Sequence, residues 1–230
     1  MIFVWASVFT TSGVTTIGGF TLPTMYLYFF IVNGVGATSI NDGNISNELQ
    51  SDIQNGNITN SLIRPISYTV QLFLYSVPVE LIAFASLTLP FLIIIFIIGH
   101  ITATPLFLLL FAVEIAVSYV VTTLIDFIIG TFSIHLTNIW GILSVSGMIY
   151  SLLGGGFIPL NLFPSWTTGI LSLLPCQLSL YIPAATLLGM VSVNSIVQSI
   201  IVGIVWAIAL FIFAALWWKR VNRKMTSAGG

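Results

Sequence analysis

The sequence predicts an all-α, polytopic transmembrane helix bundle: five full spans plus a partial first span, with broken re-entrant or interfacial helices before the last span. Three observations predict it. Charged residues make up only 5% of the 230-residue chain and hydrophobic residues 57%, whereas a soluble domain carries about 25% charged residues. Several apolar runs approach or exceed the ~20 residues that cross a bilayer core. These runs are continuous, whereas a transmembrane barrel alternates in polarity over ~10-residue segments. Residues 1–230 read as a single transmembrane domain. The single cysteine, Cys176, excludes an internal disulfide and a multi-cysteine metal site.

Residues 1–9 are apolar but about half a span long, and they read as the outer end of a helix whose beginning is missing. No basic residue precedes them and no clear cleavage site follows, so they are not read as a signal peptide. Thr10 to Thr21 is a Gly/Thr/Ser-rich loop, and Leu22 to Ala37 is a short span. The longest polar stretch of the chain comes next. Three of the six acids, Asp42, Glu48 and Asp52, lie in or just before it, with Arg64 near its end. Within it Ile45, Leu49 and Ile53 repeat every four residues, one apolar stripe on a helix. Ser46 is a plausible N-cap, Glu48 suits the positive end of the helix dipole, and Asn55-Gly56 is a stop. The stretch from Ser46 to the stop at Asn55-Gly56 therefore reads as a helix of about three turns on the membrane surface, apolar side toward the bundle; an ordinary solvated loop is the alternative.

Ile66 to Pro78 is expected to run along the interface, because Val79 to Gly99 alone is long enough to span; Glu80 then begins its span. Pro105 to about Phe132 is the next span, with Glu114 and Asp126 inside it, and Ile139 to Phe157 is another, ending in Gly154-Gly155-Gly156. Residues 158–191 are apolar but interrupted by Pro159, Pro164, Pro175 and Pro183, so that no piece between prolines can span. Proline lacks the N–H that a helix interior needs and disfavours helix in the residue before it. The segment reads as re-entrant or interfacial helices shielded by protein, with one kinked span as the alternative. Asn194 to Trp218 is the final span, closed by the interface anchor Trp217-Trp218-Lys219-Arg220.

Basic residues occur only at Arg64 and in the tail at Lys219, Arg220, Arg223 and Lys224. The positive-inside rule puts both regions in the cytoplasm. Counting back through the spans then places residues 41–65 and the C-terminus inside and the proline-broken segment outside. Asn44-Ile-Ser and Asn57-Ile-Thr match the glycosylation pattern, but on this topology they are chance.

The chemistry is sparse. The only lysines, Lys219 and Lys224, lie outside any G-x-x-x-x-G-K-[ST] context, so the chain has no Walker A site. Gly154–Gly156 reads as close helix packing or a bend. Cys176, beside Pro175, reads as a packed core residue, and no catalytic constellation can be assembled. Glu114 lies in a span without a basic residue, and an ionised carboxylate at mid-bilayer costs roughly 2.5–3.5 kcal/mol. Two readings stay open for it: proton or cation handling, and a hydrogen-bonded structural acid or polar pathway group. Asp126, twelve residues on, should lie nearer the cytoplasmic side.

Three stretches taken together resemble the permease subunits of ABC exporters, in particular the prokaryotic six-span type-2 class. The first is Asp52-Ile53-x-x-Gly56-x-Ile58-x-x-x-Leu62-x-Arg64-Pro65. The second is Gly155-Gly156-Phe157-Ile158-Pro159-Leu160-x-x-Phe163-Pro164-x-Trp166, continued by Leu174-Pro175 and Pro183. The third is the tail from Trp217 to Arg223, then Ala228-Gly229-Gly230. The resemblance covers essentially the whole chain. It implies that residues 46–65 are a coupling segment contacting a separate ABC ATPase subunit through Glu48, Leu49, Asp52, Ile53, Gly56, Leu62, Arg64 and Pro65. It also implies that Glu114, Asp126, Gly155, Gly156, Pro159, Pro164 and Trp166 belong to the pathway or the re-entrant segment. A second permease, identical or a sister chain, would complete the pathway in the cell membrane. Membrane lipid would surround it, and no nucleic acid partner is expected. ATP and Mg would bind the ATPase, with no cofactor in this chain. The family begins with a cytoplasmic amphipathic helix and a complete first span, of which Met1 to Phe9 would be only the end.

Overall fold

A computed structural model describes residues 2–39, 44–58, 65–99 and 104–228. Among them the regular structure is helical throughout. Helices α1 (Ile2–Ser12) and α2 (Leu22–Ser39) are followed by α3 (Asn44–Gln54). Helix α4 (Tyr68–Ala83) passes through a π-helical segment (Phe84–Thr88) into α5 (Leu89–Gly99). Helix α6 (Pro105–Gly130) and α7 (Trp140–Leu153) come next. The short helices α8 (Ser165–Leu171) and α9 (Tyr181–Leu187) precede α10 (Val193–Ala228).

Three 30-residue stretches are long and apolar enough to cross a membrane: Tyr68–Ile97, Pro105–Ile134 and Val193–Asn222. Each is about 45 Å long at 1.5 Å per residue, against a hydrocarbon core of about 30 Å. Ile2–Ser12, Leu22–Gly36 and Trp140–Leu153 are shorter apolar helices.

The stretch from Tyr68 differs from the expectation of an interfacial segment before a span at Val79. Helix runs unbroken through Pro78 and on to Gly99. Prolines at 78 and 90 each remove a backbone donor, and the wider π turn between them absorbs the mismatch, a common cause of local bending. Within the π segment the Ser86 hydroxyl donates to the Ile82 carbonyl at 2.7 Å. Thr88 ties the same segment to α2 through a 2.7 Å bond to the Gly34 carbonyl. Glu80 consequently lies well inside a helix rather than at its start. Its neighbours across the interface are Phe111, Ile115 and Tyr119 of α6.

Residues 158–191 form the short pieces that their prolines dictate. Pro159 and Pro164 immediately precede helical turns, Pro175 opens one, and Pro183 sits in the first turn of α9. These are positions whose N–H would have no intrahelical partner. The Pro175–Ser179 turn and residues 182–187 are buried against the bundle, and Cys176 is packed among them. Helix α8 instead exposes Trp166 and Ile170.

The three glycines after α7 make the bend that turns the chain back. Gly155 has φ +90, and a Cβ there would lie 2.7 Å from the Tyr28 hydroxyl. That hydroxyl donates to the Gly155 carbonyl at 2.7 Å, and the Tyr181 amide donates to the Gly154 carbonyl at 2.9 Å. The Tyr28 ring is fully buried, edge-on to Phe20 and Phe29. Gly155→Ala should therefore destabilise the fold more than Tyr28→Phe. The alanine carries about 1–2 kcal/mol of left-handed backbone strain plus overlap, while the phenylalanine loses one buried hydrogen bond, about 1–3 kcal/mol. Thermal unfolding in detergent should show both melting temperatures lowered, in that order.

Candidate functional site: a docking helix anchored on the bundle

Helix α3 is polar in composition, yet its Ile45 and Leu49 are 3% and 0% exposed. They pack with Tyr68 and Leu72 of α4, Leu124 and Phe127 of α6, and Ala214 and Trp218 of α10. Ile53 packs against the same cluster. The four-residue apolar stripe read from the sequence is thus the buried face. Asn47, Ser51 and Gln54 lie on the exposed face, with Glu48 and Asp52 half-buried at its flanks. Asn55 and Gly56 end the helix as expected, with Gly56 at φ +73.

The N-terminus of α3 is held differently from expectation. The helix starts at Asn44, and Ser46 is not its cap. Asp126 of α6 reaches under the helix. Its Oδ2 accepts the backbone N–H groups of Ile45 at 3.0 Å and Ser46 at 3.1 Å, and its Oδ1 accepts the Ser46 hydroxyl at 2.8 Å. A carboxylate outbids a local serine here because it accepts several donors at once and carries the charge that a helix N-terminus favours. Asp126 and Ser46 are both buried. Gly130, one turn further along α6, permits the close approach: a Cβ there would lie 2.8 Å from the Ser46 Cα and 3.1 Å from the Leu49 side chain.

The rest of α3 is pinned on two sides. The Gln50 and Gln54 side-chain amides donate to the Thr137 carbonyl at 3.0 and 2.7 Å, in the loop after α6. The Tyr68 hydroxyl donates to Asp52 at 2.8 Å. The Tyr68 ring stacks on Trp218 at 5.2 Å, and Trp218 meets Phe127 edge-on at 5.6 Å. Trp217 donates to the Thr131 hydroxyl at 2.9 Å. Three aromatic rings thus form the platform on which α3 rests. Of the coupling residues read from the sequence, Pro65 is exposed beyond α3, and Leu62 and Arg64 lie outside the described residues.

Helix α6 carries this anchor at one end of a buried polar stripe: Glu114, Ser118, Thr122 and Asp126, four residues apart. The Thr186 hydroxyl of α9 donates to Glu114 Oε1 at 2.9 Å. Ser118 donates to Ser179 at 2.9 Å, and Thr122 donates to the Ser118 carbonyl at 3.0 Å. Glu114 Oε2 is buried without a hydrogen-bond partner among the described residues. The stripe links α3 to the proline-broken segment along one helix. The sequence reading singled out the two acids and missed Ser118, Thr122, Ser179 and Thr186. The four-residue spacing was the available signal on α6; nothing local marked the two hydroxyls that meet it. The other predicted pathway residues do not gather at Glu114. Gly155 bonds Tyr28, Gly156 packs on Ser151 and Leu180, Pro159 is buried beside the glycine bend, Pro164 precedes α8, and Trp166 is exposed.

Asp126→Ala should strand two amide donors and loosen the start of α3 by about 1–3 kcal/mol. Asp126→Asn keeps an acceptor and should lose less. Hydrogen exchange should speed up at Ile45 and Ser46 at least several-fold in the alanine variant; unchanged protection would show that Asp126 does not hold the helix.

The sequence profile of the family described as ABC-2 family transporter protein matches residues 1–229. No curated protein and no solved structure matches the chain. The match extends over nearly the whole sequence and agrees with the family that the coupling, glycine–proline and tail motifs resemble. This chain therefore belongs to the ABC-2 family of membrane transporter proteins.

Proposed function

We propose that the chain is the membrane-spanning permease subunit of an ABC exporter, moving its substrate with ATP hydrolysed on a separate ATPase subunit. Helix α3 is the coupling helix that takes up the ATPase's movement, and Glu48 and Asp52 at its flanks lie on the contact surface. The ATPase holds ATP and Mg. A second permease, identical or a sister chain, completes the pathway. The chain makes five full crossings and one partial one in the cell membrane, with α3 and the C-terminus cytoplasmic.

The observation that carries this reading is how α3 is mounted. A helix with one polar face left open is fixed by its apolar face, by Asp126, by two glutamines and by Tyr68 to the ends of three long spans. A push on its open face reaches α6 without slack, and α6 meets the proline-broken segment at Ser179 and Thr186. The cytoplasmic assignment is supported by its neighbours. Helix α3 packs against Trp218 and Val221, beside the basic Lys219 and Arg220.

The test is co-purification from mild detergent extracts of native membranes. The unaltered chain should retain a soluble Walker-containing subunit with ATPase activity. Glu48→Lys and Asp52→Lys should insert normally yet cut retention and transport at least fivefold. Tyr68→Phe removes the anchor on Asp52 while keeping its charge, and should cost less. Full retention and transport in both charge reversals would count against the reading. Ion-coupled transport is a second reading, favoured by Glu114 Oε2, which has no hydrogen-bond partner among the described residues. It predicts that Glu114→Gln stops transport with ATPase activity undisturbed.

A further inference from the structure

Helices α4, α6 and α10 leave an open groove of about 680 Å³ between them. It lies on a different face of α6 from the stripe of Glu114, Ser118, Thr122 and Asp126. Two close approaches frame it. A Cβ on Gly203 of α10 would lie 2.8 Å from the Val117 side chain of α6, and Trp218 of α10 stacks on Tyr68 of α4 at 5.2 Å. Among the described residues that line the groove, Thr69 alone has a polar side chain. Val70, Leu74, Ile208 and Phe211 on its walls are exposed, so it opens sideways to the membrane. Along α6 it runs from Val113 to Leu124, about 17 Å at 1.5 Å per residue. One leaflet's share of the hydrocarbon core is about 15 Å. The groove therefore has the length of an acyl chain in one leaflet, running inward from the end marked by Thr69 and Leu124.

That end has charged neighbours. Ile204, Ile208, Phe211, Ala215 and Lys219 recur every three or four residues on α10, so Lys219 continues the stripe that walls the groove. It lies about 12 Å beyond Phe211 along the axis, and helical side chains lean toward the N-terminus, here toward the groove. Arg220 stands beside it, and both are exposed. Trp217 and Trp218 precede them, the arrangement of a membrane–water boundary. No acid follows Asp126 in the sequence, so α10 carries only positive charge. Basic groups at that depth meet lipid phosphates, to which lysine offers a point charge and arginine a two-pronged donor. Apolar walls alone cannot select a lipid, because the surrounding tails are equally apolar. Selection falls to the charged end, and the groove fixes the position of the chain attached to it.

We propose that the groove and the basic pair form a site for an anionic glycerophospholipid, one acyl chain lying between α4, α6 and α10 and the phosphate held at Lys219 and Arg220.

Native mass spectrometry of the purified full chain in a neutral detergent tests it, with phosphatidylglycerol and phosphatidylcholine of identical acyl chains supplied in equal amounts. Lipid retention needs neither ATP nor a partner subunit, so its outcome is separate from that of the exporter reading. The unaltered chain should retain phosphatidylglycerol at least fivefold over phosphatidylcholine. Lys219→Gln combined with Arg220→Gln should bring the ratio close to one, and the exchange of K219R with R220K should keep the preference. Ala116→Phe, at an exposed position of the groove, should lower phosphatidylglycerol retention at least threefold with both basic residues intact. It also serves as the test if the double charge variant fails to fold. Equal retention of the two lipids by the unaltered chain would overturn the proposal. Undiminished phosphatidylglycerol retention in the folded double variant or in Ala116→Phe would overturn it as well. A lipid-free dimer that Ala116→Phe separates would do the same and give the groove to a second copy.

Discussion

A carboxylate placed in a span that carries no basic residue must be stabilised by dipoles. Asp126 meets that requirement with the N-terminus of α3. Two backbone N–H groups and one hydroxyl converge on it within 3.1 Å, and the helix adds its partial positive end. The arrangement satisfies both sides. The acid gains the donors that make burial tolerable, and a short, polar helix gains a fixed start without help from its own sequence. A helix of about eleven residues is marginal alone in water, so α3 owes its order to this bond and to the platform beneath Ile45 and Leu49. Gly130 belongs to the same device, since any side chain there would hold Asp126 and Ser46 apart.

The anchor is also attached to the far side of the bundle. Asp126 is the last member of a stripe whose first member, Glu114, meets α9, and whose second, Ser118, meets the Pro175–Ser179 turn. An α-helix is stiff along its axis over this distance, about 18 Å for twelve residues. One rigid element thus joins α3 to the proline-broken segment without an intervening loop. Short side-chain hydrogen bonds at both ends fix the register. The aromatic stack of Tyr68, Trp218 and Phe127 keeps α4 and α10 in step with α6 at the α3 end.

The fold class, the amphipathic character of α3 and the broken course of residues 158–191 were legible in the sequence, because each depends on local pattern: apolar run length, a four-residue stripe, prolines at fixed spacing. The contacts were not. Ser46 had every local qualification for an N-cap and lost the role to a residue 80 positions away, a competition that only tertiary structure decides. The continuity of the helix from Tyr68 was missed for a related reason: span length alone set the interfacial stretch before Val79, whereas helix runs from Tyr68 through a π segment to Gly99. Ser179 and Thr186 look like ordinary hydroxyls until the chain folds back onto α6.

The three acids within the apolar helices show how placement divides roles among chemically similar groups. Asp126 is saturated with donors and serves as an anchor; little is left with which it could bind anything else. Glu114 has one donor on one oxygen, and its second oxygen is buried with no hydrogen-bond partner among the described residues. Glu80, on the neighbouring α4, lines a cavity with Phe111 and Tyr119 of α6. What differs between the two acids of α6 is how many of the compensating donors are built in around each. On that physical ground the anchor and the more sparsely bonded acid separate along one helix.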